Sequence, residues 1–535
     1  MRKILYIAAA LLPISIFAQV DKQVEVTKEY TPQVEQREKI TLMPEMSVDG
    51  SITPDIDYSI TPRSIETSYD VDSFAPVEIN FWEYNPYSPI YLKLGGGAPA
   101  TVVGDIYYTS LFDKSYLTSY ANYDGIYGRL SGFDGVERGA REHHSTFGSR
   151  YVQQGSRRGF NADFKYNIDQ WSRYATDNIV DDLPLYQSLN FSGGWGDSFT
   201  NFDRLNIGFD ADIEHHWSRS DYKTEIFALG GNIGHKTKQG VMLYNLDFNY
   251  VMGDGGYDNL TVGGGASYSY TRELADIRLG TALYYDRLCG DSDLRVLPTV
   301  NFDLRLKERK AILFVDLESE LIYNNYAALS EENPYVAPSL FSTENSVDYQ
   351  LSGGVKGAIC GGKFGYSGYV GYRLSLDNIF WAMVVDRDSD NFLIDNSNLN
   401  ELGFNLDLSY DPHSNLSFRS DLLWRAIVET PDQSWESGLA TFEYLFGVRY
   451  RLKRFSVDSS VEIVGERETT LYYWGAEMVG KIPVTVDLGV NLDYRLRRGL
   501  NIFCDLSNLL NDDLYPWYGY RGYGIGAVVG VQLQF

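Results

Sequence analysis

This chain of 535 residues carries a formal net charge of −26, and 15% of its residues are aromatic. The acid excess excludes nucleic acid as an expected partner, because carboxylates and phosphates repel each other. The three cysteines, Cys289, Cys360 and Cys504, are too far apart for a disulfide framework or a metal-ligand spacing.

The first 18 residues have the pattern of an export signal. Arg2 and Lys3 provide a charged start, the segment from Ile4 to Phe17 is apolar, and Ala18 is a small residue at a suitable cleavage position. An uncleaved anchor is the alternative, but Pro13 interrupts the apolar segment, which is shorter than the ~20 residues of a spanning helix. We predict residues 1–18 as a cleaved signal peptide of a protein exported in a Gram-negative cell.

Residues 19–88 differ from the rest of the chain, because Glu, Asp, Thr, Ser and Pro dominate them. Thr-Pro steps end at Pro32, Pro54 and Pro62. Proline disfavours a helical conformation in the residue before it and cannot take part in a central strand. We predict a Pro-rich, largely irregular periplasmic extension over residues 19–88, followed by the main domain over residues 89–535.

From Pro89 onward, apolar and polar residues alternate, which places one set on each face of a β-strand. The pattern fits either a soluble sheet with an apolar core or a membrane barrel with a polar interior. The barrel is favoured because the runs approach the ~10 residues that a tilted strand needs to cross a membrane. The clearest runs are Val241–Tyr250, Val300–Lys307, Leu313–Tyr323, Phe404–Tyr410, Leu416–Trp424, Phe455–Val464 and Thr485–Arg495.

The connections between these runs alternate in length, as in outer-membrane barrels with short periplasmic turns and longer extracellular loops. Following this alternation predicts an all-β fold, a transmembrane antiparallel β-barrel of about 22 strands within a range of roughly 16 to 22. Both ends of the barrel would then lie in the periplasm. The predicted turns are 238–240, 307–310, 361–363, 411–414, 453–454 and 497–499, and the predicted loops are 252–257, 326–345, 386–398, 429–436, 465–483 and 511–523.

The polar members of the alternating runs are predicted to face the lumen, because a charged side chain facing lipid costs about 2–4 kcal/mol near the bilayer middle. An acidic lumen would favour cations or polyhydroxylated solutes over anions. The alternative is that these groups only hydrate or cross-link the interior. The predicted lumen residues are Asn245, Asp247, Asn301, Asp303, Arg305, Asp316, Glu318, Glu320, Asn405, Asp407, Arg419, Asp421, Asp458, Glu462, Asp487, Asn491, Asp493 and Arg495.

The last run carries a sorting feature. Apolar residues alternate from Ile525 onward, and the sequence ends in an aromatic residue. This pattern resembles the signal by which the insertion machinery recognises outer-membrane barrels. We therefore predict Val531, Leu533 and Phe535 as an insertion signal, with an amphipathic edge strand as the alternative.

The C-terminal region resembles the last strands of TonB-dependent receptor barrels. The resemblance rests on Leu506–Asn511, on Trp517–Tyr520 and on the Gly-rich strand that ends in Phe535, and it continues diffusely through Asn333–Tyr335 and Tyr91–Gly97. It covers residues 89–535 and implies a barrel in the cell outer membrane. Such receptors place a folded plug domain before the barrel, and residues 19–88 are too few and too Pro-rich for one. TonB-type energy input and a separate plug chain therefore stay open.

No catalytic, cofactor-binding or metal site is predicted. The pairs His143-His144 and His215-His216 suggest a metal, but adjacent residues of a strand point to opposite faces and one pair cannot readily hold one ion. The sequence contains no Gly-x-Ser-x-Gly nucleophile motif, and its glycine clusters lack the following helix of a phosphate loop.

Two functions remain open. The first is porin-like or receptor-like transport of a small solute across the outer membrane. The second is a non-transporting scaffold, an accessory subunit of an outer-membrane complex that binds a periplasmic or surface-exposed protein through residues 19–88 or the long loops. The other expected partners are outer-membrane lipids and the barrel insertion machinery.

Overall fold

The computed structural model of the protein describes residues 88–535, apart from 133–134, 156, 176–183, 221, 307–310, 338–342, 386–390 and 429–434. The predicted signal peptide lies outside the described residues, as does the predicted extension up to residue 87. In the described part of the chain, no helix is long and apolar enough to span a membrane. The described part is almost entirely β-structure, in one sheet of 24 strands.

The strands vary in length from 7 to 22 residues. They are β1 Ile90–Ala98, β2 Ala100–Leu111, β3 Ser115–Ser131, β4 Glu137–Gln154, β5 Arg158–Trp171, β6 Leu185–Asp197, β7 Asn206–Ser218, β8 Lys223–Lys236, β9 Val241–Gly253, β10 Asp258–Thr271, β11 Ala275–Leu288, β12 Asp291–Arg305, β13 Ala311–Ile322, β14 Ser346–Ile359, β15 Phe364–Val385, β16 Phe392–His413, β17 Leu416–Val428, β18 Phe442–Arg451, β19 Phe455–Val464, β20 Arg467–Tyr473, β21 Ala476–Ile482, β22 Thr485–Arg497, β23 Leu500–Ser507 and β24 Gly526–Gln534. The helix α1 spans Tyr326–Glu332.

Of these strands, 22 form a closed antiparallel ring. The ring closes because β1 pairs with both β2 and β24. Strand β19 pairs directly with β22, so the hairpin of β20 and β21 leaves the ring, and β20 pairs in parallel with β15. The predicted barrel of about 22 strands is confirmed.

The closing seam requires glycine. Ile90 and Phe535 exchange two backbone hydrogen bonds of 3.0 and 3.1 Å at one end of the seam. Near the other end, a Cβ atom added to Gly97 would lie 1.9 Å from the carbonyl oxygen of Ala527. The side chain of any other residue at position 97 would therefore push β1 away from β24.

One face of the strands exposes large apolar side chains, which distinguishes this barrel from a soluble sheet. Leu246, Phe209 and Val370 have exposed fractions of 66%, 56% and 53%. In water such a face would be an aggregation surface, whereas in a barrel it is the surface that lipid covers. This is the fold of an outer-membrane barrel.

The two ends of the barrel differ in their connections. We call the end that holds the β2–β3 and β4–β5 turns the short-turn end, and the opposite end, which holds the β13–β14 and β23–β24 segments, the long-loop end. The rule for outer-membrane barrels assigns the long-loop end to the cell exterior. Even there, only Pro99 joins β1 to β2.

Two of the predicted loops contain strands. Residues 386–398 are not all loop, because β16 begins at Phe392, and residues 465–483 contain the β20–β21 hairpin. Both departures extend the sheet beyond the ring at the long-loop end. Local alternation could not separate these strands from those that cross the membrane.

Candidate functional site

The segment between β13 and β14 comprises residues 323–345, and its described residues 323–337 reach across the mouth of the barrel. It begins with α1, whose N-cap residue Asn325 accepts a hydrogen bond of 3.1 Å from the backbone of Ala328. Beyond α1, the carbonyl oxygen of Pro334 accepts a 2.7 Å hydrogen bond from the hydroxyl of Tyr186 on β6. Since β6 lies several strands away around the ring, this contact bridges the mouth.

Aromatic side chains from several connections meet at this crossing. Tyr335 stacks on Tyr520, with ring centroids 3.6 Å apart, and Tyr174 meets Tyr520 edge-on at 5.2 Å. Phe392 and Trp517 pack at 5.3 Å beside them. Tyr520 has no exposed surface, and Phe392 is 1% exposed. We call these five residues the aromatic cap, which is part of a small hydrophobic core at the mouth.

Polar contacts fix the β13–β14 segment where it leaves and rejoins the barrel wall, at Asn324 and Asn345, which we call its roots. Asn345, 1% exposed, donates from Nδ2 to both carboxylate oxygens of Asp286, at 3.1 and 3.0 Å, and to Thr261 at 3.2 Å. The backbone N–H of Asn324 donates to Oδ1 of Asn345 at 3.1 Å. Both roots are thereby tied to the barrel wall through one buried side chain.

Burial also shifts the titration of groups around the cap. It raises the pKa of Tyr174 well above its usual value, and it raises the pKa of Tyr523 and of Tyr257 to about 12. Burial raises the pKa of Glu332 as well, although a 3.2 Å hydrogen bond from Nε1 of Trp381 opposes this shift. The cap is therefore a low-dielectric region in which these groups favour their neutral forms.

A cavity of about 470 Å³ lies directly against α1, on the inner wall formed by alternate side chains of β4 to β8. This volume is within the ~300–1,000 Å³ range of small-molecule sites. The lining residues are His144, Lys165, Asn167, Asp169, Trp171, Tyr186, Ser188, Asn190, Glu214, His216, Ile226, Asn325, Ala327, Ala328, Ser330 and Glu331.

The lining combines hydrogen-bonding groups of both kinds with aromatic rings. Asn167 donates from Nδ2 to Oγ of Ser188 at 3.0 Å, and a ring nitrogen of His144 lies 2.8 Å from a carboxylate oxygen of Asp169. Trp171 and Tyr186 stand edge to face at 5.9 Å. These contacts hold the polar groups in fixed positions, so the wall can present ordered donors and acceptors to a polar solute.

In each histidine pair, one ring lines the cavity and the other bonds to a neighbouring side chain. His144 and His216 line the cavity, whereas His143 bonds to Gln170 and His215 bonds to Glu225. Within the described ranges of the chain, no group of three or more His, Cys, Asp or Glu residues is arranged to hold a metal ion.

The structure places the predicted lumen residues on β9, β12, β13, β16, β17, β19 and β22. It brings several of them together, since Asn301 donates from Nδ2 to Asp316 at 3.0 Å and to Glu318 at 3.1 Å. Asp407 lies opposite Asp421 in the register of β16 and β17. No residue of the predicted set lines the cavity beside α1, and their facing the lumen stays a prediction.

The predicted insertion signal lies on the closing strand. Val531 pairs with Leu94 and Leu533 with Leu92 in the register of β24 with β1, and Phe535 follows β24. The structure thus gives these three residues a part in closing the barrel. Their role as a recognition signal stays a prediction.

Sequence reasoning missed the cavity and the cap for different reasons. The cavity residues lie on β4 to β8, partly where glycine and histidine interrupt the alternation, and the histidine pairs were the only signal there. The cap residues come from three connections and from the start of β16, so no local pattern links Tyr335 to Tyr520. The Asn333-Pro334-Tyr335 sequence contributes to the family resemblance, but it does not indicate that Tyr335 is buried.

Comparison with known proteins finds likeness in structure but not in sequence. No family model matches the chain, and no curated protein matches it. Solved barrels do match. The FrpB iron transporter from Neisseria meningitidis is 11% identical with a TM-score of 0.65, covering 83% of this chain and 81% of that one.

Two further structures give the same result. The copper transporter OprC is 12% identical with a TM-score of 0.62, covering 84% of this chain and 80% of that one. The siderophore receptor PirA from Acinetobacter baumannii is 9% identical with a TM-score of 0.62, covering 83% and 80%. Identities this low show the fold alone, and they confirm the predicted TonB-dependent receptor-like barrel.

Proposed function

We propose that this outer-membrane barrel is a gated transporter of a small polar solute, with the β13–β14 segment as its gate. The observation that carries the proposal is the aromatic cap, because it joins connections from distant parts of the ring across the mouth. A permanently open pore would have no use for a buried aromatic core at this position. The structural neighbours bear the names of transporters and receptors, which supports a transport function for this fold.

The position of α1 links the gate to the cavity. Five residues of the segment, from Asn325 to Glu331, form one wall of the cavity, and Tyr335 lies four residues after Glu331 in the same segment. A solute bound in the cavity would contact α1 and so favour one position of the segment over another. The proposal extends to the predicted lumen residues, which would line the path beyond the cavity.

Planar bilayer recordings test the gate. The full chain should conduct little at rest, and the double variant Tyr335→Ala/Tyr520→Ala should conduct continuously, because it removes both stacked rings of the cap. Liposome swelling with neutral sugars of increasing size would then measure the width of the opened path. The matched control is Trp474→Ala, which removes an aromatic ring that is 55% exposed at the same end of the barrel.

The control variant should behave like the unmodified protein. Heat-modified gel mobility, which separates folded from unfolded barrels, establishes that each variant is folded before it is recorded. A folded double variant that conducts no more than the unmodified protein contradicts the gate. Continuous conduction by the unmodified protein contradicts it as well.

The β20–β21 hairpin favours the scaffold function as a second candidate. Within the part of the chain that the structure describes, β21 pairs only with β20. Trp474, Met478 and Val479 are each more than half exposed on this hairpin. An edge strand with apolar side chains can take up a strand of a partner. Loss of a co-purifying protein from Val479→Asp, with unchanged conductance, would support the scaffold function.

A further inference from the structure

The two ends of the barrel carry opposite charge. Nine of the ten connections at the short-turn end contain a Lys or an Arg, and the exception is the Ser414-Asn415 turn between β16 and β17. At the long-loop end, residues 323–345 and 429–441 contain no Lys or Arg and three carboxylates each. The short-turn end therefore has a basic rim, although the net charge of the whole chain is −26.

Two neighbouring arginines of this rim share one carboxylate. Nε of Arg157 lies 2.8 Å from Oδ1 of Asp197, and Nε of Arg158 lies 3.4 Å from the same oxygen. The side chain of Asp197 is 1% exposed and also accepts a 3.0 Å hydrogen bond from the backbone of Ile207. One buried carboxylate thus orients two guanidinium groups, and the pair retains an excess positive charge.

The same place offers an aromatic wall. The guanidinium of Arg158 lies over the ring of Trp195, 4.6 Å from its centroid. Phe160, Trp195 and Phe209 are cross-strand neighbours on β5, β6 and β7. Their exposed fractions are 41%, 42% and 56%, so they belong to the exposed apolar face that lipid covers. A cationic rim above an exposed apolar wall matches an amphiphile with an anionic head.

We propose that this outer surface, formed by Arg157, Arg158, Trp195 and Phe209, binds an anionic glycerophospholipid. The guanidinium groups would take the headgroup phosphate, because planar fork-shaped donors pair well with phosphate oxygens. The aromatic side chains would contact the start of the acyl chains, as girdle residues do at the headgroup level of a bilayer. The short-turn end faces the periplasmic leaflet, so the lipid would be a phospholipid of that leaflet and not lipopolysaccharide.

The test measures phosphatidylglycerol binding to the purified full chain in micelles, by native mass spectrometry, with phosphatidylcholine as the zwitterionic comparison. A surface arginine contributes about 1 kcal/mol to binding an anionic lipid, which is about 5-fold in affinity. The variant Arg157→Gln/Arg158→Gln should therefore bind phosphatidylglycerol about 25-fold more weakly. Phosphatidylcholine binding should not change.

Two further variants separate the lipid site from general effects. Trp195→Leu keeps both contacts to Asp197 and should weaken phosphatidylglycerol binding about 3-fold, through loss of the cation–π contact. Arg129→Gln removes one positive charge at the long-loop end, where the arginine faces Glu137 at 3.6 Å, and should leave binding unchanged. If the double arginine variant does not fold, Trp195→Leu decides the outcome.

Three results would overturn the lipid site. They are equal affinity of the unmodified protein for the two phospholipids, full binding by folded Arg157→Gln/Arg158→Gln, or preferential binding of lipopolysaccharide at these residues. Conductance does not enter the measurement. The lipid site and the gate can therefore fail independently.

Discussion

The two ends of this barrel are held by different physical means. At the long-loop end, connections from distant strands share a buried core, in which Tyr520 has no exposed surface. At the short-turn end, polar contacts are more open, as in the pair of Lys236 and Asp203 at 2.7 Å, with side chains 60% and 65% exposed. Within the described residues, the buried aromatic core at the long-loop end is the set of contacts that the proposed gate would form and break together.

The largest effect is expected at the seam that both ends depend on. Gly97→Val should prevent closure, because the new side chain would meet the carbonyl oxygen of Ala527 in the backbone, which cannot move aside alone. Most of the protein should then fail to reach the folded form. Heat-modified gel mobility after refolding into detergent measures the folded fraction.

The neighbouring glycine provides the control for the seam. A Cβ atom added at Gly96 would come no closer than 3.6 Å to another heavy atom, the carbonyl oxygen of Thr101. Gly96→Val should therefore fold nearly as well as the unmodified protein. Equal folded fractions for the two variants would show that the seam tolerates a side chain at position 97.

A smaller effect is expected from the roots of the gate. Asn345→Asp would replace two hydrogen bonds to the Asp286 carboxylate by repulsion between two buried carboxylates. Losing a hydrogen bond to a buried charged group costs about 1.5–3 kcal/mol. We expect faster hydrogen exchange of the backbone amides of α1, measured by mass spectrometry on the folded barrel.

The matched variant at the short-turn end is Lys236→Gln, which removes an exposed ion pair. Exposed ion pairs contribute little, because water and salt screen them. Lys236→Gln should leave both hydrogen exchange and the unfolding midpoint unchanged. If Lys236→Gln lost as much hydrogen-exchange protection as Asn345→Asp, the two ends of the barrel would not be held by different means.

The smallest effect is expected from alkaline titration of the long-loop end. An unfolded tyrosine titrates with a pKa near 10, whereas burial raises the pKa of Tyr257, Tyr323 and Tyr523 to about 12. The folded state therefore keeps these protons longer, and its stability is complete below pH 10 and falls as the pH rises from about 10 to about 12. Hydrogen exchange of α1 should accelerate in that window.

A tyrosine variant checks the origin of this pH dependence. Tyr257→Phe removes one titrating hydroxyl, together with its 3.0 Å hydrogen bond to the carbonyl oxygen of Asn324. The variant should start from lower protection and lose less of it between pH 10 and pH 12. If Tyr257→Phe left the pH dependence of hydrogen exchange unchanged, the titration of Tyr257 would not be its cause.

Much of the fold was predictable because strand geometry is local. Alternation indicated the run from Thr485 to Arg495, and β22 spans Thr485–Arg497. It also indicated the terminal strand that ends in Phe535. The β20–β21 hairpin was not predicted, because its short strands carry no local sign that they leave the ring to pair with β15.

The candidate site was less predictable, since its parts come together only in space. Asn345 reads in the sequence as an ordinary loop residue, yet its side chain is buried against Asp286 on β11. Arg157 and Arg158 are neighbours in the sequence, and only the pairing of β5 with β6 brings them to Asp197. Burial and partners depend on which strands become neighbours.

The sequence by itself indicated the clearest strands and a barrel of about 22 of them, because side-chain direction in a strand follows from a period of two residues. Only the tertiary structure decided which connections meet across the mouth. Tyr335 and Tyr520 stack because a closed ring returns distant strands to one rim, and ring closure depends on pairings between strands that no single run encodes.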